Sequence, residues 1–273
     1  MGAPITRIVS DVHYGERSST VRSFRQLAPL ADGAAALVFN GDTFDSRPAK
    51  EPRITEDLRR EVLGFSGSAG VPVSFITGNH DPDFSQSHSM EFADGRIFVT
   101  HGDVLFDNIV PWSQDAGVMR TRVIAALAAL PDEGARRLEE RLAVFRSVSA
   151  SIPQRHQAEK NPVLFALRLA GDTVWPPGRF LTILKAWREA PDRAAALARG
   201  HRPKARFVVI GHTHKPGVWR TAPGVVVINT GSFSRPFGSV AADISEEGIR
   251  VRRVEARRGE FLPGPTLAEF PLS

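Results

Sequence analysis

The chain has 273 residues, 42% of them apolar and 24% charged, with 35 Lys or Arg against 30 Asp or Glu. That is an ordinary soluble, globular balance, with enough length to bury a core in one large domain or two modest ones. It has no cysteine, which excludes disulfides, thiolate zinc sites and iron–sulfur clusters and leaves only oxygen and nitrogen as metal donors.

In chain order, the first hundred residues repeat one rhythm, a short run rich in Val, Ile and Phe followed by a polar tip. Strands are predicted at 5–9, 36–39, 71–76 and 97–100, each largely apolar over its length, as strands covered on both faces are. Helical segments are expected between them at 20–30 and 55–65, the latter with Leu58, Val62 and Phe65 at helical spacing. Residues 107–205 change texture to Ala, Arg and Leu, with 16 Lys or Arg against 10 Asp or Glu. Leu138, Leu142 and Phe145, then Leu181, Leu184 and Trp187, mark amphipathic helices. Prolines at 131, 153, 162, 176, 177 and 191 divide the segment into several short helices. This stretch reads as a helical insertion or cap between two parts of a core, 1–106 and 206–256. Its basic excess is read first as a solvated helix face and second as a surface for an anionic substrate or lipid.

The strand rhythm returns at 206–210, 225–228, 240–244 and 249–255. The connections are too short for helices, so these strands are expected to be antiparallel and to complete a second sheet. Residues 257–273, rich in proline, are expected to form an irregular C-terminal tail. The fold class implied is α/β, two sheets face to face with flanking helices. No stretch approaches the roughly 20 apolar residues that span a bilayer, and the start of the chain has no signal-like apolar segment. The expected location is the cytoplasm, with peripheral contact to an anionic membrane as an option.

Five polar motifs sit at the ends of the apolar runs: Ser10-Asp11-Val12-His13, Gly41-Asp42-Thr43-Phe44-Asp45, Gly78-Asn79-His80-Asp81, His101-Gly102-Asp103 and Gly211-His212-Thr213-His214. Any one alone reads as a hydrogen-bonded turn. Together they place Asp, Asn and His at strand ends in proportions that suit a pair of divalent metals. The spacing of two lets Asp11 and His13 converge on one ion, and at the same spacing His212 and His214 can each donate one imidazole nitrogen. Gly41 allows a sharp turn that aims Asp42, whose carboxylate can bridge two cations. Asn79 offers a neutral oxygen that does not cancel the metals' electrophilic strength, and His101 completes a second ion. His80, one residue beyond a ligand, is placed to protonate a leaving group or hold a phosphate oxygen, with Asp81 as its orienting partner or a turn cap.

With these motifs in this order, the chain resembles the calcineurin-like metallophosphoesterases, marked by D-x-H, G-D-x-x-D, G-N-H-[DE], a histidine followed by glycine, and G-H-x-H. The resemblance implies a β-sandwich flanked by helices and a centre of two divalent ions, Mn first, Fe or Zn as alternatives. By it, Asp11, His13, Asp42 and His214 hold one ion, and Asp42, Asn79, His101 and His212 the other. Ions on the order of 3.5–4 Å apart generate a bridging hydroxide for in-line attack on phosphorus, with His80 assisting the leaving group.

Within that family the chain is similar to the UDP-2,3-diacylglucosamine pyrophosphohydrolases in its Gly41–Asp45 and His101–Leu105 motifs and its basic helical insertion. The implied substrate is a nucleotide-sugar lipid, the implied partner a phosphate-containing small molecule or lipid, and no obligate protein partner is evident. Those enzymes usually carry arginine directly after the metal-binding asparagine. Here His80 stands there, as in general phosphoesterases, which supports a second reading: a phosphodiesterase or phosphomonoesterase acting on soluble phosphates, nucleotides or nucleic acid. A catalytically silent scaffold is a third reading, but scaffolds lose ligands and none is missing. Arg235 and Asn229 are the candidate substrate-binding residues, Asn229 alternatively a support behind the ligands; Arg47, Arg120, Arg122 and Arg155 are weaker phosphate candidates. Trp112, Trp175, Trp187 and Trp219 are read as core or as lid anchors.

Overall fold

The computed structural model describes residues 3–131, 137–154, 178–221 and 224–272. Two mixed sheets pack face to face between layers of helix. The first sheet runs in the order β11-β10-β9-β1-β2-β3 and the second in the order β4-β5-β6-β8-β7. In the first, β1 (Thr6–Val9), β2 (Ala36–Asn40) and β3 (Val73–Ile76) are parallel, while β9 (Val240–Ile244), β10 (Gly248–Arg257) and β11 (Glu260–Pro271) add an antiparallel flank. In the second, β5 (Ile97–Thr100), β6 (Phe207–Ile210) and β8 (Val226–Asn229) are parallel, with β4 (Ser89–Phe92) and β7 (Gly217–Arg220) antiparallel at the edges.

The apolar runs are continuous because both faces of each central strand are covered. Ile8, Val38, Ile97, Val99, Phe207 and Val209 meet between the sheets. Their neighbours Val9, Leu37 and Phe39 face outward onto Phe24, Leu27, Val62 and Phe65. Phe98, Val208 and Ile210 face the opposite helical layer. That layer comprises α2 (Ala116–Ala128), α3 (Leu138–Ala150) and α4 (Gly178–His201). The central helices of the insertion thus share one core with the second sheet.

On the other side lie α1 (Pro52–Ser68), which buries Val62 and Phe65, and a 3-10 helix at Phe24–Ala31. The latter stands where the sequence led us to expect a helix at 20–30. Phe24, Leu27 and Leu30 recur every third residue, the 3-10 period, and Pro29 lies inside it. Arg7 fixes this element to the sheet. Its guanidinium, 1% exposed, pairs with Asp243 at 2.7 and 2.8 Å and donates to Leu30 O at 2.6 Å and Asp32 O at 3.0 Å.

Several expectations are corrected. The strands after 206 do not all complete a second sheet: β6 and β8 pair in parallel there, while β9 and β10 return to the first sheet. Residues 260–271 are not an irregular tail but β11, an edge strand, the position where proline's missing N–H is tolerated. The register shifts opposite it at Val251/Arg252 and Arg252/Val254. Pro191 does not end a helix, since α4 runs through it. Leu181 and Leu184 are exposed, and the buried face of α4 is Ala186, Ala190, Ala194 and Ala198 instead. Small side chains there let the helix lie close to the sheet. The breaks expected at Pro162, Pro176 and Pro177, and Arg155 and Trp175, lie outside the described residues. Among those described, no helix is long and apolar enough to cross a membrane.

Candidate metal centre

The carboxyl ends of β1, β2, β3, β5 and β6 meet at one edge of the sandwich, and the residues just beyond each strand converge there. Asp11, His13, Asp42, Asn79, His101 and His212 are all 3% exposed or less. Asp11, His13, Asp42, His212 and His214 have φ of 53, 48, 50, 65 and 60°. This left-handed backbone costs a non-glycine residue about 1–3 kcal/mol and clusters at functional sites. The turns are held by one another: Asp11 N–H donates to Gly41 O at 3.0 Å, His13 N–H to Asp42 O at 2.9 Å, and Gly211 N–H to His101 O at 2.8 Å. Gly41 (φ 81°) lies against the His101 ring, and Gly78 against the Asp42 carboxylate. A methyl group at either position would collide with a candidate ligand.

Among the described residues three donor groups result, Asp11/His13/His214, Asp42/His101/His212 and, sharing His13, His13/Glu16/His80; the first two are built wholly from the strand-end motifs. In the first, His13 Nε2 and His214 Nε2 are 3.0 Å apart, and His214 Nε2 is 3.3 Å from Asp11 Oδ1. In the second, His101 Nε2 is 3.3 Å from Asp42 Oδ2. The same Asp42 oxygen is 3.9 Å from His13 Nε2, so this carboxylate stands between the groups, where a bridging ligand belongs.

The imidazoles are presented in definite tautomers. His101 Nδ1–H donates to Asn40 O at 2.9 Å, leaving Nε2 free, and His212 Nε2–H donates to Ile109 O at 2.9 Å, leaving Nδ1. Among the candidate ligands, His101 Nε2 and Asn79 Oδ1 are buried without a hydrogen-bond partner. His101 Nε2 belongs to the group around Asp42, and an unpaired buried nitrogen and oxygen are what an ion would take, so the residues present fit a divalent centre built from nitrogen and oxygen.

The electrostatics favour positive charge. Burial opposes the Asp42 charge, yet His101, His80 and His13 hold its carboxyl well below the usual range. Burial likewise opposes a charged His101, but Asp42 and Asp11 hold it well above its own. Burial and the neighbouring His101 push His212 down to about 3, so it is a neutral donor.

His80 lies at the rim, 24% exposed. Its Nδ1 faces Glu16 Oε1 at 3.2 Å and Asp45 Oδ2 at 3.3 Å, with Arg47 Nη2 at 3.3 Å. Two carboxylates outweigh one guanidinium, so Nδ1 carries the proton. Burial and Arg47 push the imidazole down, but Asp42, Asp45 and Glu16 prevail and raise it to about 10.

Two expected roles change. Asp81 does not orient His80; its buried carboxylate accepts from Asp42 N–H at 3.0 Å, Thr43 N–H at 2.7 Å and Gly78 N–H at 2.6 Å. It clasps two ligand turns together. Asn229 takes the second of its two roles, behind the ligands rather than toward substrate: it donates to Gly211 O at 2.7 Å and Thr213 Oγ1 at 2.9 Å and accepts from Gly231 N–H at 2.8 Å, bracing the turn of His212 and His214. Arg235 is exposed on the loop that brings Phe237 to 5.7 Å from His214. Glu16 and Asp45 were not singled out as partners of His80, although Asp45 stands in the Gly41–Asp45 motif. Arg47, a weak phosphate candidate, proves to be bound to Asp45 at 2.7 and 3.0 Å. Arg120 is exposed on α2, and Arg122 bonds Ser151 across to the end of α3.

Two tryptophans frame the site. Trp187 of α4 donates to Thr213 O at 2.8 Å and packs edge-on to Phe237, and Trp112 tilts over His212 at 5.5 Å. Trp219 is half-buried on β7.

Residues 6–216 match the family model described as calcineurin-like phosphoesterase. A UDP-2,3-diacylglucosamine hydrolase from Stenotrophomonas maltophilia is 24% identical over 229 residues, covering 78% of this chain and 83% of that protein. Among solved structures, Vacuolar Protein Sorting 29 from Cryptosporidium parvum is similar with a TM-score of 0.46 and 12% identity, over 98% of each chain. A dimetal phosphatase from Danio rerio has a TM-score of 0.44 and 14% identity, over 96% of this chain and 99% of that one.

Proposed function

The chain belongs to the calcineurin-like phosphoesterase family, and from that premise we propose that it uses two divalent ions, Mn first, to cleave the pyrophosphate of UDP-2,3-diacylglucosamine or a similar nucleotide-sugar lipid. Asp11, His13, Asp42 and His214 would hold one ion, and Asp42, Asn79, His101 and His212 the other. When bound, such a pair supplies Lewis-acid polarisation of the phosphoryl oxygens and an activated water. His80, with Nδ1 held by Glu16 and Asp45, presents Nε2 as a proton donor to the leaving oxygen. Arg47 adds positive charge beside it for the departing phosphate.

The observation that carries the substrate reading is the outer face of α4. Phe180, Leu181 and Leu184 are 50, 64 and 40% exposed. Leu184 and Phe180 lie three and seven residues before Trp187, on the helical face that reaches the His212–His214 turn. An acyl chain laid along that stripe would start at the centre and follow the helix outward, and the same stripe would touch the cytosolic surface of a membrane that carries the substrate. The Stenotrophomonas relative, by its name a UDP-2,3-diacylglucosamine hydrolase, supports the same choice. His80 favours the second reading, a phosphodiesterase of soluble phosphates.

The Mn²⁺-loaded protein should be assayed on UDP-2,3-diacylglucosamine, on its deacylated analogue and on bis-p-nitrophenyl phosphate. With each buried CH₂ contributing about 0.8 kcal/mol, the acylated compound should exceed the deacylated one in kcat/KM by about 100-fold or more. Leu184→Asp should remove that preference without changing the aryl diester rate. Equal rates with and without acyl chains would replace the lipid reading with the soluble-phosphate one.

A further inference from the structure

Glu16 belongs to none of the five strand-end motifs, yet its carboxylate joins two groups that do different work. Its Oε1 is 3.2 Å from His13 Nδ1 and 3.2 Å from His80 Nδ1. The two rings stand edge to face, with centroids 4.8 Å apart. A tight turn returns the carboxylate to the centre, since Glu16 N–H donates to His13 O at 2.9 Å.

Asp45 also faces His80, but its charge is already shared. The Arg47 fork takes both of its oxygens, at 3.0 and 2.7 Å. Besides the two imidazoles, Glu16 receives a hydroxyl hydrogen bond from Ser18 at 3.4 Å and feels the Arg47 charge at longer range, so its closest charged partners are the histidines. One oxygen has lone pairs for two N–H donors. Accepting from both fixes both tautomers, so that each ring turns Nε2 toward the centre.

We propose that Glu16 is a positioning residue that ties His13 and His80 into one hydrogen-bonded unit, setting metal affinity through the first and proton donation through the second. Carboxylates behind a ligating histidine raise its basicity and fix its orientation, and losing one typically costs about 10–100-fold in metal affinity or activity. The His80 half of the proposal rests on the proton-donor reading above; the His13 half does not.

The test uses the full-length protein with Glu16→Ala and the milder Glu16→Gln, each checked for folding by circular dichroism. Mn²⁺ affinity is measured by titration calorimetry on chelator-treated protein. Turnover is measured at saturating Mn²⁺ on aryl phosphodiesters whose leaving phenols span a range of acidity, with His80→Gln in parallel. The expected result for Glu16→Ala is Mn²⁺ binding weakened about tenfold or more and a steeper dependence of kcat on leaving-group acidity, approaching that of His80→Gln, with Glu16→Gln intermediate and KM little changed. Wild-type Mn²⁺ affinity in the folded Glu16→Ala protein overturns the proposal. So does a wild-type leaving-group dependence when His80→Gln shows a steeper one. If His80→Gln itself shows the wild-type dependence, it is the proton-donor reading that fails, and the Mn²⁺ titration alone decides the role of Glu16.

Discussion

The Nε2 atoms of His13 and His214 face each other at 3.0 Å across a sequence separation of 201 residues. Two neutral imidazoles with their lone pairs opposed repel one another, and the contact becomes favourable when a proton or cation sits between them. Asp11 Oδ1, 3.3 Å from His214 Nε2, adds the negative charge that draws one in.

Asp42 stands between the two donor groups, so its loss should disable both. Asp42→Ala is expected to lower kcat/KM on a phosphodiester by more than about 100-fold, beyond the usual cost of removing a group behind a ligand. Metal analysis of the dialysed protein should show less than the wild-type content. Wild-type metal content with wild-type turnover would refute the bridging role.

Asp81 accepts three backbone N–H groups from two turns. Asp81→Ala leaves all three buried donors unpaired, at about 1–3 kcal/mol each. A destabilisation of about 3 kcal/mol or more is expected in urea unfolding, with weaker metal retention because the Asp42 and Asn79 turns are no longer clasped. A change under about 1 kcal/mol would show that these turns hold without it.

His88, which belongs to none of the donor groups, gives the fold an acid-sensitive point behind the ligand turns. Arg146 Nη1 donates to its Nε2 at 3.0 Å, and Nδ1 is bonded to Thr77 Oγ1. Burial first and Arg146 second push the imidazole down from 6.5 to about 4. Because the folded value is the lower one, the unfolded chain binds the extra proton between these limits. Stability is therefore full above about pH 6.5 and falls as pH drops toward 4. Urea midpoints at pH 6.5 and 4.5 should differ more in the wild type than in His88→Gln, and identical differences would remove His88 from the account.

The Arg7–Asp243 pair is buried on both sides, 1% and 2% exposed. Arg7→Ala takes the bidentate partner from the Asp243 carboxylate, leaving Arg252 at 3.9 Å, and unpairs the Leu30 and Asp32 carbonyls, which should cost about 3–5 kcal/mol. A double substitution of both partners by apolar residues should recover much of that loss. Thermal melts of the single and double variants test this directly, and a single variant as stable as wild type would contradict it.

What could be read in the sequence was whatever two-sided burial writes locally. The central strands are short apolar runs because each is covered on both faces, and their polar ends announced the candidate ligands. β4 and β7 escaped notice because they are half-exposed edges, Ser-Met-Glu-Phe and Gly-Val-Trp-Arg, with no unbroken run. β11 escaped because prolines that argue against a central strand are compatible with an edge. On α4, leucines suggested the buried face, whereas packing distance selected the alanines. A capping role for Asp81 and a supporting one for Asn229 were open from the sequence, but their partners, and any role for Glu16, depend on how separate turns meet in space. A carboxylate that accepts backbone N–H groups and one that steers an imidazole look the same in a string of letters.

Asp11, His13, Asp42 and Asn79 follow strands of the first sheet, while His101, His212 and His214 follow strands of the second. An ion taken up by either donor group would therefore be a rivet through both layers. Affinity for the cation and resistance to unfolding become one linked quantity, each rising with the other. Chelation would then do more than silence the chemistry: it would loosen the seam at one end of the sandwich, and the melting temperature would follow the free-metal concentration.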